Sequence, residues 1–316
     1  DFIKKISTEY DTVRIRHAGK QQKIKWLSIG DARENRMSFD WASHTPIRPK
    51  KLGITVFEDY SLDELAEGID WTPFFIAWEL AGKYPRILSD EVVGEEATRL
   101  FNDAKAMVKK IVNEKWFSAK GIFGLFPANS IGHDDIDVYI DDVEGGLLTT
   151  IHSLRQQTQK PPGQPNYALA DFIAPKEIGI QDYLGAFAVS CGFGMENRIK
   201  AFEEDHDDYS AIMLKALADR FAEAFAERLH QRIRKEFWGY ASDEVLSNED
   251  LISESYRGIR PAPGYPACPD HTEKELLWDL LKVKEKTGIE ITESFAMNPT
   301  ASVSGWYFSH PNSRYF

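Results

Sequence analysis

The clearest periodicity in the chain lies in residues 95–115. There Ala97, Leu100, Phe101, Ala104, Met107, Val108, Ile111 and Val112 recur every three or four positions. That spacing puts them on one side of a helix and predicts an amphipathic α-helix packed on a core. A longer stripe through Leu214, Leu217, Phe221, Phe225, Leu229 and Ile233 predicts the longest helix, over 209–237. Between the two helices the period changes. Residues 120–129 and 134–140 read as strands joined by a polar turn, and 147–151 as a strand or a helix start. The apolar run 183–191 is a buried strand or a short buried helix, which periodicity alone does not separate. Residues 52–57, 289–294 and 301–308 read as further strands, and 273–284 as a helix ending before Gly288.

Local signals fill the gaps. Ser61 with Glu64 predicts a capping box on a short helix. Asp70-Trp-Thr-Pro73 opens the next helix, with proline in the first turn and Asp or Thr at the cap, and Gly82 is expected to end it. Residues 203–208 form an acidic turn and 160–165 a loop. Residues 1–36 are charged, with a basic run over 14–25, and read as a linker containing a helix; Pro46, Pro49 and Gly53 punctuate an extended arm. The division expected is an N-terminal linker and arm, 1–51, followed by one domain, 52–316. Strands and helices do not alternate regularly, so a doubly wound parallel sheet is disfavoured. The fold class expected is α+β around a twisted, mainly antiparallel sheet flanked by helices.

Composition changes the picture in three ways. A net charge of −12 argues against nucleic acid, whose phosphates need clustered Lys and Arg. It fits a small-molecule site or a partner with a basic face, and also plain solubility. The cysteines, Cys191 and Cys268, are few for a secreted chain of 316 residues, so a reducing, cytoplasmic compartment is expected. No stretch approaches the roughly 20 apolar residues of a membrane span, and none reads as a signal peptide. Both ends are expected to lie within a longer polypeptide.

The most informative segment is 257–271. Pro261, Pro263, Pro266 and Pro269 fix their own φ angles and push the preceding residues into extended geometry, giving a stiff, non-helical ribbon. Backbone groups of Ala262, Gly264 and Tyr265 are free to face a flat heterocycle, and Gly264 lets the backbone come close. Arg260 offers a planar fork suited to a carboxylate. Together these suit an amino-acid-like nucleotide, against the plainer reading of a rigid crossover. Asp219, Glu223 and Glu227 lie four apart on one helix face, a solvated row or a receiver for an ammonium or sulfonium. The aromatic end 304–316 reads as core or sheet filling before ligand stacking. Glu227-x-x-His230, Glu203-x-x-His206 and Cys268-x-x-His271 lack the context of a metal site. Gly192-Phe-Gly194 lacks the third glycine of a dinucleotide fingerprint, and neither a P-loop nor G-x-S-x-G occurs. A free-standing hydrolase or metalloenzyme is therefore disfavoured.

Arg260-Pro-Ala-Pro-Gly-Tyr265, continuing Pro-Ala-Cys-Pro269, resembles the R-x-x-x-G-Y signature of the activation domain of cobalamin-dependent methionine synthase. Asp70-Trp-Thr-Pro-Phe-Phe75, Glu223-Ala-Phe-Ala-Glu-Arg-Leu-His230 and Ser302-Val-Ser-Gly-Trp-Tyr-Phe-Ser-His-Pro311 resemble that domain too, in the right order. The resemblance spans about residue 52 to the end. It implies a C-shaped α+β domain that binds S-adenosylmethionine in a shallow groove. It implies that Arg260 holds the methionyl carboxylate, that Asp70 takes the amino group, and that Ala262, Gly264 and Tyr265 meet the adenosine through their backbones. Tyr315 and Phe316 would lie against the ligand, with Glu223 nearby. The implied role is to present a sulfonium methyl for reductive methylation of cob(II)alamin. The implied partners are the cobalamin-binding domain of the same enzyme and a flavoprotein donor, flavodoxin or methionine synthase reductase. Cobalamin, zinc, folate and homocysteine sites would belong to other domains, so this chain alone would bind without turnover. The family's domain continues past Phe316. The alternative is a module that chiefly docks the reductase and the cobalamin domain. Neither nucleic acid nor membrane is implied.

Overall fold

The computed structural model describes residues 2–18, 25–142 and 145–316. In chain order the helices and strands are α1 (Phe2–Ala18), α2 (Ile29–Glu34), β1 (Gly53–Tyr60), α3 (Leu62–Glu67), α4 (Thr72–Ala77), α5 (Gly94–Glu114), β2 (Ser118–Ile131), β3 (Asp135–Tyr139) and β4 (Leu147–His152). There follow β5 (Asp182–Phe193), α6 (Met195–Glu204), α7 (Asp208–Arg232), α8 (Asn248–Ile252), α9 (Glu273–Leu281), α10 (Val283–Thr287), β6 (Glu290–Ile291), β7 (Met297–Asn298) and β8 (Ser302–Tyr307). Part of the basic run 14–25 lies outside the described residues.

One six-stranded sheet organises the fold. Its spine is the long β2. One edge of β2 pairs with β1 along its first half and with β3 along its last residues; the other edge pairs with β5, and β8 follows. Every pairing is antiparallel, as expected of an α+β fold with helices flanking the sheet. Successive side chains point to opposite faces, so the sheet buries two cores. Phe123, Leu125, Phe187 and Val189 meet α5 and α7 on one face. Ile122, Leu184, Ala186 and Trp306 meet Leu277, Leu281 and Val283 of α9 and α10 on the other. Burial on both faces makes β5 a continuous apolar run, which is why its sequence fits a strand and a buried helix equally.

The α7 stripe is fully buried from Leu214 to Ile233, and the helix lies across β5 and β8. Its last turn, Ile233–Phe237, is π-helical. Several local expectations are corrected. Helix α4 ends at Ala77, before Gly82, because Glu79 turns left-handed with φ 59°. The Ser61 hydroxyl accepts from the Glu64 N–H at 3.2 Å, but no capping box closes: the Glu64 carboxylate takes the Tyr60 hydroxyl and Arg228 instead. The helix expected over 273–284 breaks at Lys282, also left-handed, into α9 and α10. The strand expected over 289–294 shrinks to Glu290–Ile291, and the acidic turn begins only after α6 ends at Glu204.

Residues 25–51 run against the domain. Leu27 N–H donates to the Gln157 carbonyl, Arg33 pairs with Asp134, and the Trp238 indole donates to the Ile47 carbonyl. Among the described residues, no helix is long and apolar enough to cross a membrane.

Candidate functional site

The proline ribbon is laid along the free edge of β8. Ile259 and Phe308 exchange both backbone hydrogen bonds at 3.0 Å, and the Trp306 N–H donates to the Pro261 carbonyl at 2.9 Å. This close approach needs Gly305, since a Cβ there would stand 2.8 Å from the Pro261 oxygen. The ribbon then folds on itself. The Gly264 N–H donates to the Cys268 carbonyl, and the Tyr265 N–H to the Ala262 carbonyl. The expectation that these groups stay free is corrected: a tight turn uses both N–H groups internally. Gly264 sits at φ +103°, and a side chain there would run into the His271 ring. Its role in the turn is conformational.

Ribbon, α7 and the chain end enclose a groove in two connected parts. A larger part, about 720 Å³, is lined by Phe187, Glu223, Glu254, Arg260, Pro261, Ala262, Tyr265, Pro266, Ala267, Val303, Ser304, Tyr315 and Phe316. That size suits a small organic ligand. A smaller part, about 270 Å³, includes Asp70, Pro73, Arg220, Glu223, Glu227, Glu254 and Arg260. Glu223, Glu254 and Arg260 border both. Of the residues singled out in the sequence, Asp70, Glu223, Arg260, Ala262, Tyr265, Tyr315 and Phe316 thus line one groove, and Gly264 stands just behind its wall. Glu254, Phe187 and Ser304 were missed, while Glu227 stands in the acidic row with Asp219 and Glu223, which the sequence leaves as a solvated face or a receiver for an ammonium or sulfonium. Glu227 follows Glu223 by one turn of α7, a signal within reach; Glu254 is a lone left-handed residue after α8 and carries none.

The polar groups converge on Arg260. Its Nη1 donates to Glu227 Oε2 and to the Tyr256 hydroxyl, each at 2.6 Å, and lies 3.5 Å from His230 Nδ1. Among the described residues every side-chain contact of the guanidinium uses Nη1. The Nε–Nη2 edge, the one that matches a carboxylate, is left over. Burial works against the Arg260 charge, but Glu227 and its neighbours outweigh it and hold its pKa above the ordinary value. The Arg260 backbone N–H donates to the Tyr315 hydroxyl at 3.0 Å, tying the chain end to the ribbon. Phe316 stacks on Tyr167 with ring centres 5.4 Å apart. The expected Asp or Thr cap is corrected: the cap residue is Trp71, with no side-chain cap bond, and Asp70, one residue earlier, accepts the Thr72 N–H on Oδ1 at 3.0 Å, while Oδ2 is not engaged among the described residues. Tyr265 is 63% exposed, which places its ring at the groove mouth. The Ser304 hydroxyl is buried without a partner among the described residues, an unmet polar group at the groove wall.

His230 lies beneath. It stacks on Tyr307, and burial first, then the charges of Arg234 and Arg260, push its pKa well down, so the ring is neutral. The E-x-x-H spacing therefore serves packing and hydrogen bonding here: Glu227 turns to Arg260, and His230 Nε2 faces the Tyr240 hydroxyl at 3.4 Å. Among the described residues no group of three His, Cys, Asp or Glu gathers as a metal site.

A groove with two arginines, Arg220 and Arg260, flanking carboxylates and apolar walls suits a zwitterionic ligand with a flat apolar part. The family described as vitamin B12 dependent methionine synthase, activation domain, matches residues 61–316. The chain belongs to that family. A solved relative, the crystal structure of the MetH reactivation domain bound to AdoHcy, is 56% identical, with a TM-score of 0.89 over 92% of this chain and 89% of that one. This activation domain is thus a part of a cobalamin-dependent methyltransferase, methionine synthase, and its role there is reactivation.

Proposed function

We propose that this activation domain binds S-adenosylmethionine in the groove and presents its methyl group to the cobalamin of a neighbouring domain. The observation that carries the reading is the unengaged Nε–Nη2 edge of a buried, permanently charged Arg260 inside a roughly ligand-sized groove. The relative solved with AdoHcy supports it.

Each groove residue then has a task. The Arg260 fork takes the carboxylate in a bidentate pair. Asp70, through its remaining oxygen, takes the ammonium. The unpartnered Ser304 hydroxyl offers a further polar contact. Ala262 and Tyr265 form the wall for the adenosine, with Gly264 shaping the turn behind them, while Tyr315 and Phe316 close the apolar side. Glu223 puts negative charge near the groove's centre, complementary to a cation. S-adenosylmethionine would supply an electrophilic methyl and leave as S-adenosylhomocysteine, and the cobalamin of the neighbouring domain, given one electron by a flavoprotein (flavodoxin or methionine synthase reductase), would supply the nucleophile. The residues here abstract no proton; they hold the donor in line, so catalysis is by proximity. Cobalamin and zinc reside in other domains, and this chain alone binds without turnover. We assign residues 52–316 to the binding domain and 1–51 to the arm leading into it.

The test is calorimetric titration of the chain and an Arg260→Ala variant with S-adenosylmethionine. Losing a buried bidentate charge pair costs about 3 kcal/mol, or roughly two orders of magnitude in Kd. Saturable binding that weakens this far is expected. A parent that does not bind, or a variant that binds equally well, overturns the reading.

A further inference from the structure

Behind Arg260 the charges continue in a row. Glu227 Oε2 holds Arg260 Nη1, while Oε1 faces Arg234 Nη1 at 3.9 Å. Arg234 is fully buried in the π-helical turn that ends α7, and its other nitrogens are forked on Glu244 at 2.8–3.1 Å. Its guanidinium lies 4.0 Å over the Tyr256 ring, the same tyrosine whose hydroxyl accepts from Arg260. A helix that ends in an ordinary turn needs no buried arginine. Here the π turn coincides with one whose Nη1, without a hydrogen-bond partner among the described residues, is turned toward Glu227.

We infer that Glu227, anchored from behind by Arg234, is a positioning residue that fixes which edge of Arg260 meets the ligand. The inference rests on the binding function proposed above. An unrestrained arginine explores many rotamers, and each must be frozen when a carboxylate binds. Clamping Nη1 between Glu227 and Tyr256 removes that freedom beforehand and turns the Nε–Nη2 edge to the groove. The opposing influence is simple repulsion: Glu227 is an anion near an arriving carboxylate. Arg234 decides the balance, because its charge sits against Glu227 on the far side and offsets that repulsion.

The experiment compares two probes that differ in one group: S-adenosylhomocysteine and its decarboxylated analogue, S-adenosyl-3-thiopropylamine. Each is titrated into the parent, Glu227→Gln and Arg234→Met. The parent is expected to prefer the carboxylate-bearing probe. Glu227→Gln is expected to reduce that preference about tenfold while leaving the decarboxylated probe's Kd unchanged, the size of one charge-assisted hydrogen bond. Arg234→Met, which leaves Glu227 in place, is expected to reduce it by a smaller factor. An equal loss for both probes would mark Glu227 as merely structural and overturn the inference. So would tighter binding of S-adenosylhomocysteine to Glu227→Gln, which would make Glu227 a competitor. Failure of the parent to bind either probe is a separate result, overturning the binding reading and this inference with it.

Discussion

Two arginines in this domain, Arg155 and Arg260, do different work. Arg155, beneath the β3–β4 end of the sheet, fills all five of its N–H donors. Nε takes Asp134; Nη1 takes the Asn166 carbonyl and Asp171; Nη2 takes the His133 carbonyl and Asp171 again. Arg260, largely buried in the groove wall, uses only Nη1. A saturated arginine is a structural knot, and one with unmet donors in a groove wall is a waiting receptor. The difference teaches that neither burial nor an unmet donor suffices alone: Arg234 keeps Nη1 unmet among the described residues but turns it to Glu227, whereas Arg260 lines the groove.

The largest expected effect breaks the first half of that comparison. Arg155→Ala strands Asp171 inside and leaves Asp134 with Arg33 alone, and an uncompensated buried charge of this kind costs about 3–5 kcal/mol. Urea unfolding should show the loss, with Arg260→Ala far less destabilising, since Arg234 stays beside Glu227. Equal destabilisation by both would erase the distinction.

A second pair sharpens it on the acidic side. Asp171 is paired with Arg155 at 2.7 Å, whereas Asp182 is buried with only the backbone N–H groups of Ala174 and Tyr183. Burial raises the Asp182 carboxyl from its ordinary 3.8 to about 7, those two donors opposing. The folded chain therefore keeps a proton that the unfolded chain releases. Its stability contribution is full below 3.8 and fades as pH rises to about 7. Between pH 5 and 7 the loss is about 2 kcal/mol. Asp182→Asn should remove that slope in unfolding measured across the range, whatever it does to absolute stability. An unchanged slope would show that Asp182 ionises freely in the folded state.

The same contrast explains what the sequence makes legible. Repetition carries the body: the stripe from Leu214 to Ile233 and the one from Ala97 to Ile111 are each buried throughout, apart from flanking members such as Phe101 and Val108 that are half-covered. Single residues carry the exceptions. Glu79 and Lys282 end helices by turning left-handed, and neither is a residue type that announces it. The groove was legible where a rare arrangement stands out, in the four prolines around Arg260, whereas the aromatic end read as core or sheet filling and Tyr315 and Phe316 entered only through the family resemblance. It was not legible where a common residue is recruited by tertiary position. Glu254 meets Arg260's groove only because the chain between α8 and the ribbon returns there. Glu227 shares a helix face with Asp219 that in sequence reads as solvated or as a receiver for a cation, and only the structure shows Glu227's side chain to be 16% exposed and paired with Arg260. The use of the Gly264 and Tyr265 N–H groups within the ribbon's own turn has no signature in composition at all.

The smallest effect tests whether the receptor depends on the chain end. The Tyr315 hydroxyl accepts the Arg260 backbone N–H, and no other acceptor for that N–H is found among the described residues. Tyr315→Phe keeps the ring against the groove and removes only the oxygen. One neutral hydrogen bond contributes about 0.5–1.5 kcal/mol. If the bond serves to seat Arg260, S-adenosylhomocysteine should bind about three- to tenfold more weakly by calorimetry. The decarboxylated analogue should be nearly unaffected, because its affinity does not pass through the guanidinium. An equal loss for both would assign Tyr315 to the apolar wall. A loss for neither would mean that Arg260 is held by Glu227 and Tyr256 alone, so that the ribbon needs no help from the end of the chain.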